Sequence, residues 1–299
     1  MKSKKPLFTR PTSYPSTTYI QKVKSEELLG KFSRIRKDAE RKFRCLKRND
    51  GLVSQLSLQE LTVQAGDVSD RLVLRTNSLA STSVCTVTDT LGKTGIKTPQ
   101  NAFGALPIQR VTMDEAVKIL QRAYKGGMTF FDTARAYSDS EEKLGQAFEG
   151  MRDKIFIASK TMAKTPDEFW KQLDISLTNL KTDYLDIYQL HCVPQCYKPD
   201  DGTGMYECML KAKEQGIIKH IGITAHNIET AFQCVQSGLY ETMQFPFSYL
   251  CSEREIELVN LCKEKNVGFI AMKGLAGGLI HNSKAAMAYI SKYDNVLPM

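Results

Sequence analysis

The sequence lacks any long apolar run. It has 299 residues, of which 42% are hydrophobic and 25% are charged. No segment approaches the ~20 consecutive apolar residues that a helix needs to cross a bilayer. These proportions are typical of a soluble globular protein, and they exclude an integral membrane protein built from transmembrane helices.

The cysteines lack the paired spacing of a disulfide framework. Eight are scattered along the chain, which indicates reduced thiols and predicts a cytoplasmic protein. Cys192 and Cys196 flank Val-Pro-Gln, but no second Cys/His pair at the spacing of a zinc finger accompanies them. We therefore predict no metal site.

Acidic residues are missing from the start of the chain, where the first is Glu26. Residues 1–50 hold 15 Lys and Arg against 5 Asp and Glu, and the rest of the chain is close to neutral. We predict a basic, largely irregular extension over 1–88, partly disordered and with one possible helix over 25–48, followed by the enzyme domain over 89–299. A near-neutral domain gives no reason to expect a nucleic-acid partner. The acid-free start leaves import into an organelle as an alternative location.

The region after Thr90 lacks a Rossmann fingerprint, because no strand-like run is followed by G-x-G-x-x-G. Short apolar runs alternate there with helical patterns, as in right-handed β-α-β units. The predicted strands are 102–105, 129–132, 155–160, 184–191, 220–224, 242–245 and 268–273, and the predicted helices are 113–125, 141–148, 167–180, 205–214, 229–237 and 253–265. This order predicts an α/β fold of the (β/α)8 TIM-barrel type.

Polar side chains stand where three successive strands end. Asp132 ends the run Thr129-Phe-Phe, Lys160 ends a run from Ile155, and His191 ends a run from Tyr184. The carboxyl ends of barrel strands line the reaction face, so we expect these residues, with Tyr137 from the following loop, to meet there. Taken singly, each has an ordinary structural explanation, such as a helix cap or a core histidine.

The four residue types together favour carbonyl reduction. Tyr137 is the expected proton donor, and a neighbouring Lys160 would lower the tyrosine pKa by roughly 1–3 units. Asp132 is expected to keep that ammonium charged and oriented, because an unpaired buried charge is costly. A neutral His191 would donate a hydrogen bond to the substrate oxygen.

The motifs around these residues resemble the aldo-keto reductase family. The similarity runs from about residue 89 to the end and is carried by Thr90-Leu-Gly-Lys-Thr-Gly-Ile-Lys, Phe103-Gly-Ala-Leu, Gly127-Met-Thr-Phe-Phe-Asp-Thr-Ala-Arg-Ala-Tyr137, Ile157-Ala-Ser-Lys-Thr, Asp183-Tyr-Leu-Asp-Ile-Tyr-Gln-Leu-His191 and Ile221-Gly-Ile-Thr-Ala-His226. Phe103 to Pro107 and Met272 to Gly278 are similar to the bacterial-type branch. The resemblance implies reduction of small aldehydes or ketones by NADP(H).

The resemblance also implies a cofactor site. Thr224, His226 and Gln244 match contacts to the nicotinamide carboxamide, and Met272 stands where many members stack an aromatic ring. The remaining candidates are Gly104 and Ala105 at the end of the first strand and the pyrophosphate loop of Lys273, Gly274, Leu275, Gly277 and Gly278, whose glycines would allow close backbone approach.

The end of the sequence departs from the family pattern. The chain stops at Met299, where the eighth strand should begin, so we predict a barrel that is incomplete at its eighth βα unit and lacks the last strand and helix. Arg71 to Arg75 is strand-like and could fill the gap. Besides an active reductase, two alternatives stay open: a slow or non-catalytic nucleotide-binding scaffold barrel, and an inactive truncated fragment. The sequence does not indicate an oligomeric state.

Overall fold

The computed structural model of this chain describes residues 88–99 and 101–299. The predicted helix over 25–48 and the strand-like segment 71–75 lie outside these residues, so the extension over 1–88 and the boundary at residue 89 stay predictions. No helix in the described part of the chain is both long and apolar enough to cross a membrane.

Eight parallel strands in sequential order form the main sheet, as the barrel prediction requires. A two-stranded antiparallel hairpin precedes them. The hairpin strands are β1 (Thr88–Thr90) and β2 (Lys97–Pro99), and the parallel strands are β3 (Phe103–Gly104), β4 (Phe130–Asp132), β5 (Phe156–Thr161), β6 (Leu185–Leu190), β7 (Ile218–Thr224), β8 (Thr242–Pro246), β9 (Gly268–Met272) and β10 (Val296–Pro298). The α/β fold class is confirmed.

Helices connect successive strands and pack on the outside of the sheet. They are α1 (Met113–Lys125), α2 (Ser140–Ala147), α3 (Pro166–Leu180), α4 (Met205–Glu214), α5 (Ile228–Gln236), α6 (Glu253–Glu264) and α7 (Ser283–Ile290). Local sequence signals determine where several helices begin. Thr112 and Glu115 form a capping box at the start of α1, and Thr165 caps α3 ahead of Pro166. The hairpin, α7 and β10 are elements that the sequence analysis did not predict.

The last strand corrects the prediction that the eighth strand is missing. β10 pairs in parallel with β9 at Val296, Leu297 and Pro298. At the other side, the Ala102 N–H donates to the Pro298 carbonyl over 2.8 Å, which links the last strand to the residue ahead of β3. The strand was missed because it has three residues and ends in proline. Among the described residues no helix follows β10, which agrees with a (β/α)8 barrel that is incomplete at its eighth unit.

Apolar side chains from the hairpin and the strands form a core inside the sheet. Leu91 and Ile96, between the two hairpin strands, pack in one buried cluster with side chains from β4, β5, β6, β9 and β10. Leu91 lies against Gly268 at the amino end of β9. The hairpin therefore fills the amino end of the barrel, and the carboxyl ends of the strands are left for polar side chains.

Leu297 tests whether β10 is an integral part of this core. Its side chain is 5% exposed, whereas Leu279, in the loop after β9, is 77% exposed. We expect Leu297→Ala to lower the free energy of unfolding by about 2–5 kcal/mol, because it leaves a cavity among packed neighbours. Chemical denaturation measures the change.

The matched control is Leu279→Ala, which removes the same atoms from the surface and should change the free energy of unfolding by less than about 0.5 kcal/mol. Equal effects of the two substitutions would show that β10 does not pack as described.

Candidate active site

A buried ion pair lies at the centre of the polar end of the barrel. The Lys160 ammonium on β5 donates to Asp132 Oδ1 on β4 and, over 2.7 Å, to the carbonyl of Thr133. Both charged side chains are only 1% exposed. Burial raises the pKa of Asp132 and lowers that of Lys160, and their mutual attraction opposes both shifts. The structure thus places Asp132 and Lys160, which the sequence analysis put at two strand ends, in direct contact.

Two buried amides complete the hydrogen bonding of Asp132. Gln189 on β6 donates to Asp132 Oδ2 over 3.3 Å and to Gln244 Oε1 over 2.9 Å, and Gln244 on β8 donates to Asp132 Oδ1 over 3.5 Å. The strand register places Lys160 of β5 opposite Gln189 of β6. Gln189 was missed by the sequence analysis, although an amide inside an apolar strand is the signal that could have identified it.

A glycine makes room for this amide cluster. Gly222 on β7 lies opposite Gln189. A Cβ atom at Gly222 would collide with the hydroxyl of Thr242 and the side chain of Gln189. The interior can hold Gln189 only because residue 222 has no side chain.

Backbone hydrogen bonds hold the loop that carries Tyr137 against β5. The Thr133 N–H donates to the Ala158 carbonyl over 2.8 Å, and the Arg135 N–H donates to the Lys160 carbonyl over 3.0 Å. The Lys160 ammonium consequently lies 5.0 Å from the centre of the Tyr137 ring. Tyr137, Lys160 and Asp132 are thus brought together as predicted.

The pKa of Tyr137 differs from the sequence expectation. Burial raises it above the ordinary value of a tyrosine, and the negative charge of Asp132 raises it further. The net lowering expected from Lys160 is not found, because the lysine charge is partly balanced by its pairing with Asp132. The phenol therefore carries its proton at neutral pH.

The imidazole ring of His191 packs beside the Tyr137 ring. The two ring centres are 5.7 Å apart and the rings are nearly perpendicular, at 80°. Burial, and then the positive charge of Lys160, lower the pKa of His191 to about 3. The imidazole is therefore neutral at physiological pH, as the sequence analysis expected, and it offers one N–H donor.

A buried carboxylate that the sequence analysis did not identify braces this region. Glu141 on α2 is fully buried, accepts a 2.6 Å hydrogen bond from the Ser159 hydroxyl and pairs with Arg135. Ser159 precedes Lys160, and Arg135 lies in the loop that carries Tyr137. Glu141 therefore ties the two segments together. No sequence signal distinguished it from the exposed acids at other helix starts.

The predicted nicotinamide contacts lie on adjacent strands. Thr224, at the end of β7, is opposite Gln244 on β8, and both are buried. The Thr224 hydroxyl accepts a 2.7 Å hydrogen bond from the backbone N–H of Cys192. His226 follows β7 on the exposed rim, where its Nε2 lies 3.2 Å from the Lys273 ammonium. The structure thus places these candidates at one end of the barrel.

The loop after β9 has a backbone suited to anion binding. Lys273, Ala276, Gly277 and Gly278 all have positive φ angles, and the two glycines face open space. Leu275, between them, is exposed. Gly274 differs: it is buried, with Ile290 and Met287 of α7 so close that a Cβ would be tight. The absence of a side chain at Gly274 therefore allows α7 to pack closely against this loop.

The other cofactor candidates lie at the carboxyl ends of β3 and β9. Gly104 is half-buried, and the side chain of Met299 would lie 3.8 Å from a Cβ placed there. Ala105 is fully buried, and its carbonyl accepts from the Ser140 hydroxyl over 3.0 Å. Met272 ends β9 half-buried. The part of the chain that the structure describes holds no cluster of three His, Cys, Asp or Glu side chains suited to a metal ion.

Comparison with known families identifies the chain. Residues 100–296 match the model of the aldo/keto reductase family. The chain therefore belongs to this family, and the resemblance read from its motifs is confirmed.

Curated relatives agree with this membership. An uncharacterized oxidoreductase, YqkF of Bacillus subtilis, is 29% identical over 61% of this chain and 63% of its own length. L-galactose dehydrogenase of Arabidopsis thaliana is 27% identical over 64% of this chain and 66% of its own. The chain spans about three fifths of the length of the curated relatives that it matches.

The fold is similar to solved aldo-keto reductases. A Klebsiella pneumoniae enzyme in complex with NADPH superposes with a TM-score of 0.62 at 23% identity, covering 72% of this chain and 84% of that one. The holo form of a Bacillus halodurans enzyme gives a TM-score of 0.63 at 20% identity, covering 71% and 85%. These likenesses support the barrel fold.

The low pKa of His191 predicts a pH-dependent stability. The unfolded chain binds a proton at this residue below its ordinary pKa of 6.5, whereas the folded protein does so only near 3. This contribution is fully present above pH 6.5 and is lost as the pH falls towards 3. Between pH 7 and 5, wild type should lose about 1–2 kcal/mol more unfolding free energy than His191→Gln.

Denaturant titrations at the two pH values measure this difference. His281→Gln, at an exposed histidine, is the matched control and should follow the wild type. If His191→Gln also follows the wild type, the imidazole is not held neutral by the fold.

Proposed function

We propose that this protein reduces aldehyde or ketone carbonyls to alcohols with NADP(H), with the proton supplied by Tyr137. The observation that carries the proposal is the arrangement of two hydrogen-bond donors, Tyr137 and His191, 5.7 Å apart between ring centres beside a buried Lys160–Asp132 pair. A carbonyl oxygen only accepts hydrogen bonds, so it complements two neutral donors. NADPH is present in the similar Klebsiella structure.

Each side chain has a separate role in the proposed reaction. Neutral His191 donates to the carbonyl oxygen and orients it, and Tyr137 gives its proton to the same oxygen as negative charge develops there. Lys160, next to the Tyr137 ring, stabilises the phenolate left behind. Asp132 holds the ammonium in place, and the two glutamine amides hold Asp132.

The residues present fit a nicotinamide dinucleotide. Thr224, Gln244 and His226 offer polar groups for the carboxamide at the strand ends, and Lys273 with the open, left-handed backbone of Gly277 and Gly278 offers a site for phosphate. When bound, the cofactor supplies the hydride. We assign Met272, Gly104 and Ala105 to the surface that receives it.

We place this activity in the cytoplasm, as a reaction on a small-molecule carbonyl compound. The six cysteines in the described residues are all free thiols, which suits a reducing compartment.

Replacement of Tyr137 tests the proposal. Tyr137→Phe keeps the ring and removes the proton, so turnover of a simple aldehyde should fall about 10²–10⁴-fold while NADPH binding is retained. NADPH oxidation followed by absorbance measures turnover, and a fluorescence titration measures binding.

Tyr124→Phe, on α1 away from the strand ends, is the matched control and should keep wild-type turnover. Equal turnover in Tyr137→Phe and wild type would rule out Tyr137 as the proton donor. Failure of the wild-type protein to bind NADPH would overturn the proposed function as a whole.

A further inference from the structure

The turn that carries Tyr137 has a strained backbone. It lies between β4 and α2, and Ser138, directly after Tyr137, has a φ angle of 48°. A residue with a side chain keeps such a conformation only where other contacts hold it. The Tyr137 N–H donates to the Ala134 carbonyl over 3.0 Å, and the Ser140 N–H donates to the Tyr137 carbonyl over 2.9 Å. These two bonds lie within the turn, so they do not set its position relative to β5.

One guanidinium contacts the turn on both sides of Tyr137. Arg135 lies two residues before Tyr137, and its Nη2 donates to the Ser138 carbonyl over 3.4 Å. Its Nη1 donates to the Oε2 atom of Glu141. The Arg135 N–H also donates to the Lys160 carbonyl over 3.0 Å. Arg135 therefore links the residue after Tyr137 to α2 and, through its backbone, to the strand that carries Lys160.

The carboxylate that accepts from Arg135 is fixed through its other oxygen. Glu141 is fully buried, and its Oε1 accepts a 2.6 Å hydrogen bond from the hydroxyl of Ser159, the residue before Lys160. Each oxygen of this carboxylate thus has a partner, as a buried charge requires. The link from the Tyr137 turn through Glu141 ends next to the lysine of the active site.

The start of α2 has anchors of its own. The Ser140 hydroxyl donates to the Ala105 carbonyl over 3.0 Å, and the Thr133 hydroxyl lies 2.9 Å from it. Lys143 is 2% exposed and donates to two backbone carbonyls of the segment after β3, over 3.0 and 2.7 Å. Glu141 therefore extends from a helix end that is held independently of Arg135, and a loss of the pair acts on the turn.

We propose that Glu141 and Arg135 are positioning residues that hold the Tyr137 phenol at the place from which it gives its proton to the substrate. The inference rests on the proposed function, because it concerns the proton donor of that reaction. Neither residue has a role in binding substrate or cofactor, so both act through the turn. Proton transfer needs a donor at hydrogen-bonding distance, and a displacement of about 1 Å can lower a rate about 100-fold.

Substitutions that break the pair test the proposal. Arg135→Met removes every donor of the side chain, and Glu141→Gln keeps its shape without the charge. We expect each to lower kcat for a simple aldehyde about 10- to 100-fold and to change KM and the Kd of NADPH by less than about threefold, because the groups that bind both molecules are retained. NADPH oxidation and a fluorescence titration measure these constants, and circular dichroism checks that each variant is folded.

Arg152→Met is the matched control. Arg152 is 16% exposed, against 23% for Arg135, and it pairs with Asp186 over 2.6 Å. It also donates to the carbonyls of Ile155 and Tyr184, over 2.8 and 3.2 Å, at the amino ends of β5 and β6. Its loss removes a comparable ion pair far along the strands from the active end, so kcat per folded molecule should stay within about twofold of wild type.

Two further variants show whether the pair acts as a unit. The double variant Arg135→Met, Glu141→Gln should have the kcat of the slower single variant, because both changes break the same link. Multiplied losses would overturn the inference. Arg135→Lys keeps a cation beside Glu141 without the two-pronged guanidinium, so its kcat should lie between those of Arg135→Met and wild type.

Hydrogen exchange of the full chain without cofactor reports on the turn directly. Mass spectrometry should show peptides over residues 133–140 exchanging at least about tenfold faster in Arg135→Met and Glu141→Gln than in wild type, because a loosened turn opens its hydrogen-bonded amides. Arg152→Met should leave the exchange of these peptides unchanged.

The two readouts separate this inference from the proposed function. If wild type reduces the aldehyde and the folded variants keep its kcat, the inference fails and the reductase stands. If wild type reduces no aldehyde, the proposed function fails, while faster exchange at residues 133–140 in the variants still supports the holding of Tyr137 by the pair. Unchanged exchange in both variants overturns the inference whatever the activity.

Discussion

The active end of this barrel depends on one buried ion pair. Asp132 and Lys160 are both almost inaccessible to solvent, and removing two charges from water costs several kcal/mol per ion. The pair is stable there only because other groups share the charge: the Thr133 carbonyl accepts from the ammonium, and amides from β6 and β8 donate to the carboxylate. Loss of either partner would leave an uncompensated charge, at a cost of about 3–5 kcal/mol.

This requirement ties the site to the architecture of the sheet. The groups that hold the pair come from strands β4, β5, β6 and β8, so the interior amides reach across the barrel only when the sheet is curled. The backbone hydrogen bond from the Ala102 N–H to the Pro298 carbonyl helps to keep the sheet curled. The short β10 therefore contributes to the site even though none of its side chains is polar.

The sequence predicts those parts of the molecule that local chemistry determines. The helix over 113–125 has the same bounds in the structure, because a capping box fixes its start. The pairing of Asp132 with Lys160 followed from their positions at strand ends. Gln189 and Glu141 were missed because their significance lies in partners distant in the chain. The raised pKa of Tyr137 depends on how much of Lys160's charge Asp132 neutralises, which is a property of three-dimensional distances.

Burial determines the chemistry of the pocket more than any single charge does. It keeps Tyr137 protonated and His191 neutral, so two donors converge at the position proposed for the substrate oxygen. A carboxylate substrate would also accept hydrogen bonds from them. The pair Asp132–Lys160 has little net charge, and so it offers an anion no strong attraction. This arrangement suits the proposed substrate, a neutral carbonyl that develops negative charge only as the proposed reaction proceeds.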